Sequence, residues 1–448
     1  MKYSIRSYKG INISKILAGR NGSSIVMLAI IFVGFALCLA GAVGISRRLV
    51  VSSACDSYGS MWTKAILSEY DIHLLEDYEL MAFFGNDDEI TDKLNSYLMY
   101  SAHGRMEADI KGANADLTGY ELGDPENFKN AMKLAFMSSA ASELINGQGR
   151  TFRNLDEGDE DEGTGRVINS RVVLDTLPSN GTGGSISAET LTEKARSVAD
   201  EEGLKDLLVN RSTEVLMLTK HFNSHVTASD DDEHFFINEW EYVIKGSNDD
   251  EVNYRACRRR LFAARNALNL VSLYKDPDKV EAIVTVAETI TPGPLGMTTQ
   301  LLIAEAWAAL ETEEDLETLY TDGRVPVIKT ADQWKTDLRS VLKSSKVEKE
   351  LDEESKELLT ENSNKISNLS DGIKTVKQFR DGLSYDEYLM IMVLAMNENV
   401  RLLRIMDLVQ INMKYRYYRD FNLMEYYIGT RFTIEVNGNS HVFEDSYK

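Results

Sequence analysis

The sequence predicts a mostly α-helical protein. An N-terminal transmembrane helix continues into a helical extracellular domain with a few short strands and a C-terminal β-hairpin. Three observations carry this. Ser23 to Ile45 is a run of twenty-three residues without a charge, and about 20 apolar residues suffice for a helix to cross a bilayer. Only six prolines occur in 448 residues, and the long stretches between them repeat their apolar positions at three and four residues. Near the end the period falls to two on either side of Asn437-Gly438, a hairpin dipeptide.

The first helix fixes the organisation. In lipid every backbone N–H and C=O must be paired within the segment, and a helix does this. Lys2, Arg6, Lys9, Lys15 and Arg20 precede the run without any acid, and only Arg47 and Arg48 follow closely. By the positive-inside rule the N-terminus lies in the cytoplasm and the body outside. The alternative is a cleaved secretory signal with Ala40, Gly41, Ala42 or Gly44 near the cut. The run is long for a signal core, which favours an anchor.

The organisation read from this is a basic segment 1–22, a transmembrane helix 23–45, a helical stalk and first part of the ectodomain 46–148, an acidic Gly/Ser-rich linker 149–187, and a helical ectodomain 188–448. The net charge is −22, and the whole excess of acid lies beyond residue 48. That argues against nucleic acid as a partner and against wide contact with anionic head groups. A 43 % hydrophobic content is ample for a core. Cys38 lies in the apolar run; Cys55 and Cys257 remain outside it, and two buried free thiols are expected, with pairing left open.

The elements follow in order. Tyr58, Met61, Trp62, Ala65, Ile66 and Tyr70 extend the first helix toward the turn at Gly85-Asn86-Asp87-Asp88, and another helix begins near Asp92. Asp124-Pro125-Glu126 opens a helix, with Pro at the first helical position. Asp156 to Gly163 and Ser179 to Ser185 read as flexible linker, with a short strand at Arg171–Asp175 between them. Helices are expected over 188–226 and 235–244. From Glu251 to Tyr274 another carries a seam of Cys257, Leu261, Ala264, Leu268 and Val271. Two more, 280–290 and 298–310, are split by Pro292-Gly293-Pro294, and a short extended piece follows at Val325–Ile328. Residues 331–380 are charged, poor in apolar positions and expected to project. Ser384 with Glu387 forms a capping box that opens a helix, and a second helix runs to about Tyr417.

Chemistry is sparse. His221 and His225, four apart, would share one face of a helix and offer two zinc ligands. Phe222 stands where a metalloprotease helix needs Glu, and no third ligand is dictated, so surface histidines are the default and no metal or cofactor is expected. The acidic run lacks the spacing of a calcium loop. No phosphate loop or nucleophile elbow occurs, and nothing supports an enzyme.

Several stretches in order carry a resemblance. Gly22-Ser23-Ser24 leads into the apolar helix, followed by Leu67–Asp71 and Leu75–Phe83. Glu239–Ile244, Arg260-Leu261, Arg265-Asn266-Ala267, Asn269-Leu270, Ala306-Trp307-Ala308, Gly323–Thr330 and Trp334 follow, then Leu383-Ser384-Tyr385, Tyr388-Leu389 and Arg401–Asn412. Together, over about 22–436, these resemble the TadE/TadG-like surface proteins of Gram-positive bacteria, an uncharacterised family whose genes accompany the tight-adherence pilus machinery. The resemblance implies a place at the cell membrane and a partnership with other pilus or secretion-system membrane proteins, with the bilayer contacted through 23–45. It also implies prepilin-peptidase cleavage after Gly22. A mature pilin helix usually carries Glu at its fifth position; counted from Ser23 that position is Met27. The resemblance therefore implies a membrane-anchored minor or accessory component rather than a major pilin. The alternatives from other classes are an extracellular sensor or ligand-binding module, and a metal-dependent surface hydrolase resting on His221 and His225.

Overall fold

The computed structural model describes residues 23–102, 110–146, 174, 176–180, 187–197, 213–228, 234–343 and 382–447. It is mostly helical, with a long apolar N-terminal helix and a C-terminal hairpin. In chain order the first elements are α1 (Ser23–Leu67), α2 (Ile72–Tyr78), β1 (Phe83–Phe84), α3 (Asp87–Ala102), β2 (Ile110–Asp116), α4 (Pro125–Asn146), α5 (Ala188–Ser197) and α6 (Thr213–His221). Then come α7 (Glu239–Lys245), α8 (Asp250–Tyr274), α9 (Pro277–Ile290), α10 (Gly296–Tyr320), α11 (Leu338–Leu342), α12 (Tyr385–Ala395) and α13 (Glu398–Arg416). The last are β3 (Tyr426–Tyr427), β4 (Gly429–Val436) and β5 (Asn439–Ser446).

The chain divides into two compact units that are not contiguous in sequence. One takes the described parts of 1–68, 86–117 and 430–445; the other takes 69–85, 118–429 and 446–448.

The first unit sets α1 and α3 on a three-stranded sheet of order β2-β4-β5. The C-terminal half of α1 buries Cys55, Gly59, Trp62 and Ile66 at steps of four, three and four. The absence of a side chain at Gly59 lets the Phe443 ring lie against the helix. Phe432, Ile434 and Val436 alternate inward along β4, as a half-buried strand requires. Asn437 and Gly438 both have positive φ, 51° and 78°, which is the two-residue turn whose twist matches a hairpin. Strand β2, Ile-Lys-Gly-Ala-Asn-Ala-Asp, has weak strand propensity and was not foreseen. It is held on one side by pairing with β4, Ala113 opposite Ile434 and Ala115 opposite Phe432. On the other side Asn95, Thr91 and Asp87, one per turn of α3, accept the N–H groups of Ala113, Ala115 and Leu117 at 2.9, 2.9 and 2.8 Å.

Helix α1 stops at Leu67, short of the turn at 85–88 that the sequence suggests. The Ser68 hydroxyl bonds back to the Ala65 carbonyl at 2.7 Å. In the second unit Tyr70 bridges to Phe83, and the Asp71 carboxylate caps α2 by accepting from His73 and Leu74. A strong N-cap so soon after the break starts a new helix. Helix α3 likewise starts at Asp87 rather than near Asp92, because Asn86 accepts the Glu89 N–H at 2.9 Å.

The second unit is helix packed on helix. Cys257, Leu261, Ala264 and Leu268 of α8 are buried as the seam requires, and α8 lies along α10. The capping box at Ser384/Glu387 and the Asp124 cap before Pro125 are both formed. Two expectations are corrected. Residues 331–343 do not project: Trp334, Leu338 and Val341 are buried against α9 and α10 in a second apolar cluster. Residues 344–381 lie outside the described residues. Within the expected linker, 176–180 form a packed turn, with Ser179 buried and its N–H given to Asp407 at 2.9 Å. The acidic run, the strand expected at 171–175 apart from Leu174, and Gly22 lie outside the described residues.

Candidate functional site

The two candidate ligands do not share a helix face. Helix α6 ends at His221. The N–H groups of Asn223 and Ser224 turn to the Glu239 carboxylate and the Thr227 hydroxyl, both at 2.8 Å, so the chain leaves the helix before His225. His221 lies against the Tyr78 ring, 5.9 Å between centroids, and burial followed by the Lys220 charge lowers its pKa to about 4. His225 stacks on Tyr254 at 4.1 Å, with Nδ1 2.9 Å from Asn238 Oδ1. Among the described residues no three His, Cys, Asp or Glu side chains are gathered as a ligand set. Cys55 and Cys257 are buried, free thiols.

The motif stretches instead converge on two buried polar networks. On α13, Arg401, Arg404, Asp407 and Gln410 recur every three residues and are all buried. Arg401 meets Glu214 at 3.5 Å, and Arg404 donates to the Val243 carbonyl at 2.8 Å. Asp407 accepts from the Tyr242 hydroxyl at 2.8 Å, and Gln410 donates to the Thr176 carbonyl at 3.0 Å. Together they pin α6, α7 and the turn at 176–180 to one central helix. A buried polar group left unpaired is costly, so these partners select one packing.

The second network centres on Arg265 of α8, fully buried. Its guanidinium gives Nε and Nη2 to Asp315 Oδ2 at 3.1 and 2.7 Å. Nη1 donates to the carbonyls of Pro326 and Val327 and to the Tyr388 hydroxyl at 2.9, 3.0 and 3.1 Å. Lys329 lies beside Glu311 and Asp315, with both carboxylates buried. Two cations and two anions thus balance inside the unit. Burial pushes the Asp315 carboxyl up, but Arg265 and Lys329 hold it below the usual range. The sequence signal was present: Arg265, Asn269 and Ser272 continue the Leu261–Leu268 face of α8 at steps of four and three.

Glu241 on α7 gives a pH-dependent term. Burial raises its pKa to about 7, against the hydrogen bonds from the Tyr385 hydroxyl at 2.6 Å and the His225 N–H at 3.2 Å. The folded chain keeps a proton that the unfolded chain loses near pH 4.5, so this carboxyl lowers stability as pH rises from there to about 7. His221 acts oppositely, raising stability from about pH 4 to 6.5. Glu241→Gln should be stabilising at pH 8, by at most ~3 kcal/mol, and neutral near pH 4. Urea midpoints across pH check this; equal midpoints for both proteins at pH 8 would contradict it.

These features define a mostly helical protein in which, among the described residues, one helix is long and apolar enough to cross a membrane. Residues 162–438, well over half of the chain, match the model of a family of unknown function, DUF5702, and the chain belongs to that family. No curated protein and no solved structure matches it. The matched region contains both polar networks and leaves α1 outside it.

Proposed function

We propose that this chain is a membrane-anchored accessory component, minor-pilin-like, of a tight-adherence pilus or related surface assembly. One observation carries the reading. Helix α1 runs unbroken from an apolar half, exposed from Ile25 to Ile45, into a half that packs on an antiparallel sheet. At 1.5 Å per residue, Ser23–Ile45 is about 34 Å long, enough for a hydrocarbon core of about 30 Å. A Cβ placed on Gly34, Gly41 or Gly44 would meet nothing, so these small residues are available to lipid or to a neighbouring helix. The TadE/TadG-like resemblance supplies the assembly. Met27, in place of the pilin acid, removes an electrostatic drive toward the filament and favours the accessory role.

The five N-terminal cations orient the helix with its N-terminus in the cytoplasm. A reporter active only outside the cell, fused after Lys448, should be active. Activity only from a cytoplasmic reporter at that position would reverse the topology.

A further inference from the structure

We infer that the tip of the α9–α10 hairpin is a second, shallow membrane contact, dipping into the outer leaflet of the bilayer that α1 spans. This contact rests on the anchored reading, because α1 is what keeps the chain on that bilayer. Thr289 to Ala304 is a run of sixteen residues without a charge, in a chain of which 27 % is charged. Within it Pro292, Gly293, Pro294 and Leu295 are exposed in succession. Leu295, Met297 and Leu301 are 67, 71 and 53 % exposed. Single exposed apolar residues need no explanation, but a run of them gathered at one tip marks a contact with protein or with lipid.

Two features favour lipid. The first is the backbone, since an N–H taken into an apolar phase without a partner is costly. Pro292 and Pro294 have no N–H to lose. The N–H groups of Thr291, Gly296 and Thr298 are given to the carbonyls of Ala287, Gly293 and Leu295 at 2.8, 3.0 and 3.1 Å. The Thr299 hydroxyl is given to Thr291 Oγ1 at 3.0 Å. These donors are satisfied without water. Helix α10 opens on Leu295 with no side-chain cap, where a helix start in water prefers Ser, Thr, Asp or Asn. The second feature is charge. Exposed Glu288 and Glu305 flank the tip, one on each helix. Two copies meeting tip to tip would crowd these carboxylates together, and like charges across a contact are costly. A zwitterionic lipid surface carries no net charge to oppose them. The acidic body keeps the contact confined to the tip.

The test is fluorescence quenching of the full chain reconstituted in phosphatidylcholine vesicles, with part of the lipid brominated at shallow acyl positions. A polarity-sensitive dye is placed on Met297→Cys in a Cys38→Ser background, where the remaining thiols, Cys55 and Cys257, are buried. Glu281→Cys, exposed further back along α9, is the control. The dye at 297 should shift to the blue and lose most of its emission to bromine, while the dye at 281 keeps a water-like spectrum. High salt should change neither, because the tip has no charge to screen. Adding Leu295→Asp, a change at an exposed site, should return the dye at 297 to the spectrum of the control. A dye at 297 that stays water-like, in a chain that floats with the vesicles, would overturn the tip contact and leave the anchor standing. A blue shift without bromine quenching would put protein rather than lipid on the tip and would also overturn it. A chain that does not float with vesicles would overturn the anchor and the tip contact together.

Discussion

Replacing Arg265 by Ala is expected to destabilise the second unit by ~3–5 kcal/mol, the cost of removing one partner from a buried charge pair. The guanidinium has no contact with water and spends all its donors on Asp315, Asn269, Tyr388 and the carbonyls of Pro326 and Val327. Truncation leaves a net negative charge among Asp315, Glu311 and Lys329 and strips two buried carbonyls of their donor. Each unpaired buried group costs about 1–3 kcal/mol. Arg265→Lys keeps the charge, but a single ammonium lacks the planar fork that reaches the carboxylate and both carbonyls at once. It should lie between the wild type and Ala. Urea unfolding followed by tryptophan fluorescence is a suitable measurement, since Trp307 and Trp334 lie in the same unit. A loss below ~1 kcal/mol for Arg265→Ala would show that the network is dispensable.

The second large effect concerns the apolar half of α1. Twelve of its residues from Ile25 to Ile45 are Leu, Ile, Val or Phe. At 0.3–0.6 kcal/mol each they favour insertion by about 4–7 kcal/mol. One arginine near the middle costs about 2.5–3.5 kcal/mol. Gly34→Arg or Gly41→Arg alone should therefore leave the chain in the membrane, whereas the double variant, at about 5–7 kcal/mol, should release most of it. Neither glycine touches a side chain, so packing is not disturbed. Alkaline carbonate extraction reads the outcome. Retention of the double variant would mean that contacts beyond hydrophobic insertion hold the protein.

Much of the fold was legible where the deciding chemistry is local. The apolar run, Asp124-Pro125, the Ser384/Glu387 box and Asn437-Gly438 all signal their structure within a few residues. What escaped depends on distant partners. The end of α1 at Leu67 follows from the Asp71 cap and the Tyr70–Phe83 bridge. Strand β2 exists through β4, more than three hundred residues away, and through three side chains of α3. Residues 331–343 look polar on average, yet Trp334, Leu338 and Val341 point one way. The histidine pair was read as helical because nothing in His221–His225 announces that Glu239 and Thr227 capture the next amides. The charged residues of α8 and α13 were legible as motif but not as core. Charge usually marks a solvated face, and only the partners show that Arg265, Arg404 and Asp407 are inside.

The anchored, accessory reading is tested most directly by mass spectrometry of sheared surface filaments alongside the membrane fraction. The account predicts that the chain is recovered mainly with membranes and contributes little to the filaments, while its deletion impairs filament display. If processing occurs, it falls after Gly22 and is blocked by Gly22→Leu. Recovery of this chain as the most abundant filament protein, beginning at Ser23, would contradict the account and make it a major pilin despite Met27.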